Sequence, residues 1–350
     1  MYIVMLAPRF HPFSGGVERH VRATCRVLQG LGHSTTVITP RLDTSPPYEN
    51  LEGIDIHRAP AYRRPKVRVI QTGLWVWQHR CQLRSADLFH FHDSEVYRLF
   101  SLPLRLLFPA TPFYATFHGY EGFPIPPRAV KLRQSMARSV RGSIGIGGGN
   151  LYDRWYGTHL TTLIPGGVEV PTQTYSGEPI YDAVFVGRLA EDMGIREYVK
   201  ALIVLKQRYG LVLTLQVCGD GPLRSEIAEL ATANGLNVTL NGNVARPEEF
   251  LDPARLAFVP GYMSILEATI RRKPVFAVYS DPFRKDALEL LPAAGEMFIC
   301  GSAEELAQAV AGYLANPDVI DVDRAYAWAS QQTWEDVART YLSLYEGAGR

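Results

Sequence analysis

Short apolar runs alternate with helix-spaced stretches along most of the chain, and this rhythm starts twice. It opens with the apolar run from Tyr2 to Leu6, a loop holding Gly15 and Gly16, and then Val17, Val21, Thr24, Leu28 and Leu31 at helical spacing. The β-branched run Thr35 to Thr39 follows. Strand, glycine loop, helix and strand in that order open a doubly wound α/β domain, because parallel strands need crossovers and each crossover helix buries an apolar stripe on the sheet. The pattern continues through "IDIHRA" from Ile54, a helix with Trp75 and Trp77, "DLFHFHD" from Asp87, "TPFYATFHG" from Thr111 and "SIGIGGG" from Ser143.

A loop rich in Pro, Thr, Gly and Ser, from Pro165 to Pro179, interrupts the alternation. Strand patterns then resume at "YDAVFVGRL", "LVLTLQVCGDG", "NVTLNGNV", "LAFVP", "PVFAVYS" and "MFICG", with helical patterns between them. A chain of 350 residues is longer than one hydrophobic core usually serves. The expected fold is α/β, with two tandem Rossmann-like parallel-sheet domains facing a central cleft. Residues 1–168 form the first domain, 169–178 the linker and 179–350 the second, the last helix being a candidate to cross back to the first.

In open α/β sheets ligands bind beyond the carboxyl ends of the strands. The residues just after strands are Gly15 and Gly16, His90 and His92, His118, Arg188, Gly219 to Gly221, Glu267, and Arg284 with Lys285. Each has a structural reading beside a functional one. Gly15 and Gly16 either admit a ligand to a helix start or make a turn. In "CGDGPL", Gly219 and Gly221 serve phosphate binding or turning, with Pro222 placed as a first helical residue. His118 either reaches a sugar hydroxyl or caps its strand.

Ser264 and Glu267 read as a capping box, S-x-x-E, at a helix start. "HFHD" puts Asp93 after His90 and His92 at a spacing metal ligands can have, but no carboxylate or cysteine cluster accompanies it, and "DVD" at Asp321 to Asp323 reads as helix capping. No metal is expected. "GIGGGN" has Asn150 where a dinucleotide fingerprint needs its last glycine, which disfavours a nicotinamide enzyme.

The net charge of +1 hides an asymmetry. From Ile56 to Ala86 there is no acidic residue, while Arg58, Arg63, Arg64, Lys66, Arg68, Arg80 and Arg84 are present. From Gly122 to Tyr152 come Arg128, Lys131, Arg133, Arg138 and Arg141. The overall balance argues against nucleic acid as a partner, whereas the basic first half suits an anionic one. Arg63, Arg64, Lys66 and Arg68 near Trp75 and Trp77 either rest on anionic lipid or form a solvated face above buried tryptophans. Four cysteines without a CxxC pair suit a reducing compartment. No apolar stretch is long enough to span a bilayer, so the chain reads as cytoplasmic, with the inner face of the membrane as a surface it can touch.

Taken in order, "GGVERHV", "HFHD", "FHG", "IPGGVEV", "VFVGRLAEDMGI", "CGDGPL" and "ILEATIRRKPVFA" resemble the retaining glycosyltransferases of family 4, which have the GT-B fold. The resemblance runs from Tyr2 to about Ala311. It implies sugar transfer from a nucleoside-diphosphate sugar, a UDP- or GDP-sugar, to a hydroxyl of a glycan, a lipid-linked or a small-molecule acceptor, without metal or a tightly bound cofactor. It implies His118, Arg188 and Glu267 as catalytic, Arg188 on the diphosphate and Glu267 on the ribose hydroxyls. Gly15, Gly16, Gly219, Gly221, Ser264, Ile265 and Leu266 are expected to complete the donor site, together with Lys285 as a replacement cation, and His90, His92 and Tyr120 are expected at the acceptor.

Two departures from the family pattern stand out. Met193 precedes Gly194 where a lysine is usual, and the glutamate usually paired ahead of Glu267 is missing. Arg284 or Lys285, with Lys285 favoured, is expected to replace the lost cation. The departures also motivate two alternatives, a catalytically degenerate nucleotide-sugar binder and a nucleotide-sugar epimerase.

Overall fold

The structure is a computed structural model that describes residues 1–347 apart from 14, 43, 61–64, 120, 121 and 174, and only the backbone of 65, 66 and 68. Tyr120, Arg63 and Arg64 lie outside the described residues, as do the side chains of Lys66 and Arg68. The chain divides into two compact units. The first comprises Met1–Ile146, Tyr152–Ile164 and the C-terminal segment from Trp334, and the second Gly147–Leu151 with Pro165–Thr333.

The first unit holds an eight-stranded sheet built from β1 (Tyr2–Leu6), β2 (Ser34–Arg41), β3 (Tyr48–Leu51), β4 (Ile54–Pro60), β5 (Leu88–His92), β6 (Phe113–Phe117), β7 (Gly142–Ile146) and β8 (Thr162–Ile164). Their order is β3-β4-β2-β1-β5-β6-β7-β8, parallel except for the antiparallel β3–β4 pair. Ile3 to Leu6 are all buried, as expected for a central strand covered on both faces. The strand order reverses between β1 and β5, which marks the switch point of this sheet.

The second unit is fully parallel, in the order β11-β10-β9-β12-β13-β14. Its strands are β9 (Tyr181–Val186), β10 (Thr214–Cys218), β11 (Asn237–Gly242), β12 (Ala254–Phe258), β13 (Val275–Val278) and β14 (Phe298–Cys300). Alternate residues of β9 serve opposite cores. Ala183 and Phe185 pack with Tyr198, Phe258 and Phe276, while Val184 and Val186 pack with Ala257, Ile265 and Ala277. The switch point here lies between β9 and β12.

Helix Trp334–Gly347 closes one face of the first unit and carries two buried hydroxyls into a polar network. Tyr341 Oη lies 2.9 Å from His20 Nε2 and 2.7 Å from Thr116 Oγ1. Thr116 Oγ1 is 2.8 Å from His90 Nε2, and His90 Nδ1 is 2.9 Å from Tyr345 Oη. Each link satisfies a group that would otherwise be buried without water. Tyr341→Phe therefore strands His20, removes one of the two partners of Thr116 and is expected to lower stability by about 1–3 kcal/mol, measured by urea unfolding; an unchanged midpoint would show that the network carries no such weight.

Candidate functional site

In the second unit the switch point brings two strand ends together. Arg188 follows β9, and helix Tyr262–Thr269, bearing Glu267, follows the paired strand β12. Gly219 to Gly221 follow β10 on one side, and helix Pro282–Glu289 follows β13 on the other. Four of the expected donor-site segments thus share one rim of one sheet.

The two glycines of "CGDGPL" are needed for close backbone approach. A Cβ on Gly219 would meet the Gly187 carbonyl oxygen at 1.9 Å, and one on Gly221 the Leu189 carbonyl oxygen at 2.4 Å. Leu189 N–H donates to the Asp220 carbonyl at 3.0 Å, and Leu223 N–H to the Leu189 carbonyl at 3.0 Å. The glycine loop therefore grips the Gly187–Leu189 loop on both sides of Arg188 and fixes where that arginine starts. Pro222 is not the first helical residue, because the helix begins at Arg224 and Pro222 lies in the turn before it.

Arg188 and Arg284 share one carboxylate. Arg188 Nη2 donates to Asp192 Oδ2 at 2.9 Å, and Arg284 Nη2 donates to the same oxygen at 2.8 Å. Asp281 sets the phase of the Arg284 helix by accepting its backbone N–H at 2.9 Å, with Pro282 as first helical residue. Lys285, the residue favoured from the sequence, turns one position further round and lies 3.7 Å from Glu289 on its own helix. Met193 packs against the hydrophobic core, so the position where a lysine is usual serves packing here. Two guanidinium groups thus meet at one carboxylate, a setting that suits a polyanion able to outcompete it.

Helix Tyr262–Thr269 corrects the capping-box expectation. Gly261 is its cap and Ser264 Oγ donates to the Gly261 carbonyl at 2.9 Å, so Glu267 lies in the second turn, 8% exposed, rather than at the start. Ile265 and Leu266 are fully buried, and Ile265 N–H already bonds the Gly261 carbonyl. The first-turn amides without a helical acceptor are those of Tyr262, Met263 and Ser264.

In the first unit Gly15 caps helix Gly16–Gly30 after β1, and His118 follows β6. Asp93 and Arg133 hold the His118 segment. Asp93 has φ 70° and ψ 161°, a backbone region that costs a non-glycine residue about 1–3 kcal/mol. Its Oδ1 accepts the His118 N–H at 3.0 Å and lies 3.5 Å from Arg133 Nη2. Arg133, buried over the rings of Phe117 and Tyr156, also donates to the Gly119 carbonyl.

The imidazole of His118 is oriented as well. His118 Nε2 is 2.8 Å from His92 Nδ1, and His92 Nε2 is 3.5 Å from Met5 Sδ. A thioether can only accept, so the proton of neutral His92 is on Nε2 and its Nδ1 accepts from His118. That leaves the accepting lone pair of His118 on Nδ1. His90 and His92, expected at the acceptor, are fully buried with both ring nitrogens engaged by protein, and so are not open to a ligand. Their strand is central and the helix from Trp334 covers it.

Asp192 and Tyr341 carry this geometry yet did not stand out in the sequence, and Asp93 and Arg133 appeared there only as the end of "HFHD" and as one of a basic window. The i,i+4 spacing of Arg188 and Asp192 was the one available signal. Among the described residues no group of three or more His, Cys, Asp or Glu side chains is placed to hold a metal ion.

Residues 14–148 match the family described as Glycosyltransferase Family 4, and residues 181–316 that described as Glycosyl transferases group 1. The chain belongs to the family 4-like GT-B glycosyltransferases. Solved structures agree on the fold. Sucrose-phosphate synthase from Thermosynechococcus elongatus superposes with a TM-score of 0.78 at 18% identity, covering 99% of this chain and 98% of that one. A glycosyltransferase from Rickettsia africae gives 0.74 at 18% identity, covering 99% and 98%. Anabaena Alr3699/HepE in complex with UDP and glucose gives 0.77 at 15% identity, covering 99% and 100%. No curated protein matches the chain.

The geometry of this glycosyltransferase bears on its stability in two ways. Gly221→Ala is expected to cost about 1–3 kcal/mol in urea unfolding because the Leu189 carbonyl must move, whereas Gly295→Ala, with nothing within 4 Å of the added carbon, changes little. The second concerns acid. Burial holds His20 and His90 down to about 3 and His92 well below its ordinary value, so these rings stay neutral in the folded state. The unfolded chain takes up those protons below about pH 6.5. Stability is then complete above pH 6.5 and falls as pH drops from 6.5 towards 3, by up to about 1.4 kcal/mol per pH unit for each ring. Urea midpoints across that range measure it, and a flat profile would contradict it.

Proposed function

We propose that this glycosyltransferase moves a sugar from a nucleoside-diphosphate sugar to an acceptor hydroxyl, with retention at the anomeric carbon and without metal. The observation that supports this most is the shared Asp192 between Arg188 and Arg284 at the switch point. When the sugar–phosphate bond breaks, negative charge grows on the leaving diphosphate. Two guanidinium groups fixed beforehand stabilise that charge without reorganising as the bond breaks. Arg284 thus takes the part of the missing lysine.

The amides of Tyr262, Met263 and Ser264 supply further N–H donors, and Glu267 accepts from ribose hydroxyls. His118 accepts a hydrogen bond from a hydroxyl of the transferred sugar through Nδ1. No protein nucleophile takes part. Retention rests on the family resemblance, and UDP is the first nucleotide to test because the Anabaena protein holds it. The acceptor is a glycan, a lipid-linked or a small-molecule hydroxyl compound.

A panel of nucleotide-sugars, with nucleoside diphosphate release followed with and without acceptors, tests the reaction. Release that needs an acceptor supports transfer. Binding without turnover would mark a degenerate protein, and sugar conversion without acceptor an epimerase. Arg284→Ala is expected to lower kcat/KM by about 10²–10³-fold, while Lys285→Ala stays within about threefold of wild type. The reverse order would return the role to Lys285.

A further inference from the structure

We propose that three neighbouring helices of the first unit form a docking face for an anionic lipid bilayer. The first, Pro65–Gln78, is turned inside out for a surface helix. Thr72, Trp75 and Val76 bury its inner face. Its outer positions, at spacings of three and four, are Val67, Ile70, Leu74 and Trp77, with exposures of 39%, 73%, 52% and 51%. A helix apolar towards solvent as well as towards the core needs an apolar medium on its outer side.

Helix Ser94–Leu107 packs beside it, where a Cβ on Gly73 would lie 4.0 Å from Pro103 Cβ. It extends the patch with Leu102 at 61% and Leu106 at 73% exposure. Helix Pro127–Ser139 packs against the second and presents Arg128, Lys131 and Arg138 outward. The layer therefore grades from apolar to basic across three helices. Glu95 is the one carboxylate in their sequences, and none occurs from Ile56 to Ala86.

This grading selects the partner. An apolar strip beside a basic band matches acyl chains beside anionic headgroups. Arg80 stacks on Trp77 with its guanidinium carbon 4.3 Å from the ring centroid, which pairs a cation with an aromatic at the depth where bilayers favour both. A first helix of 14 residues is too short to span, and its inner face is committed to the unit, so it lies in the plane of the surface. Two-fold contact with a second copy would instead set this nearly acid-free face against itself.

Flotation of the full chain with phosphatidylcholine vesicles, alone or mixed with phosphatidylglycerol, tests the assignment. Expected is co-flotation with the mixed vesicles at low salt, weakened by high salt and absent with phosphatidylcholine alone. Ile70→Glu with Leu74→Glu should weaken partitioning at least about tenfold, and so should Arg128→Glu with Lys131→Glu, at unchanged melting temperature. Brominated lipids should quench wild-type tryptophan fluorescence and lose that effect in Trp77→Phe. The proposal is overturned if wild type does not float, if it floats equally with neutral vesicles, or if the variants float like wild type. It is also overturned if Ile70→Glu with Leu74→Glu breaks a dimer seen in solution, since a second copy then covers the face. None of these readouts depends on the donor chemistry of the second unit.

Discussion

One carboxylate oxygen, Asp192 Oδ2, receives hydrogen bonds from two arginines on different segments, and the reading of the second unit depends on it. Like charges do not assemble at a sheet rim unless something offsets their repulsion. Asp192 does this, and it is partly exposed, so its worth lies in geometry more than in stabilisation. The arrangement leaves two forks poised for an acceptor with more negative charge than a carboxylate carries.

The backbone beneath supports the same end. Gly219 and Gly221 let one loop press against another, and the pressed loop carries Arg188. Asp281 caps the helix that carries Arg284. In the first unit the comparable investment is made at His118, through the strained Asp93, the buried Arg133 and a tautomer set by His92 and Met5. Structural polar groups there are held neutral by burial, which is why acid is the condition to which this unit is exposed.

Much of the fold was legible because buried parallel strands write themselves as apolar runs, and β9 serving two cores is such a case. The short strands β3 and β8 were not, since "YENL" is polar and "TLI" is only three residues. The rim positions Arg188, Gly219 and Gly221 could be read because topology places ligands after strands. Local pattern failed where a distant element decided the outcome. His90 and His92 look like a pair offered to a ligand, but Tyr341 and Tyr345, more than 200 residues later, enclose them. The S-x-x-E spacing of Ser264 and Glu267 mimics a cap, yet Gly261 starts that helix. Our proposal of Arg284 over Lys285 rests on helix phase, which composition does not encode. The outward apolar face of Pro65–Gln78 was hidden for the same reason, since inner and outer stripes are both apolar in the sequence.

A crystal structure with a nucleoside diphosphate bound is the decisive experiment. Phosphate oxygens are expected within hydrogen-bond distance of both the Arg188 and Arg284 guanidinium groups, with Asp192 no longer the acceptor for both. Phosphates bound elsewhere, with the two arginines still closed on Asp192, would contradict that expectation.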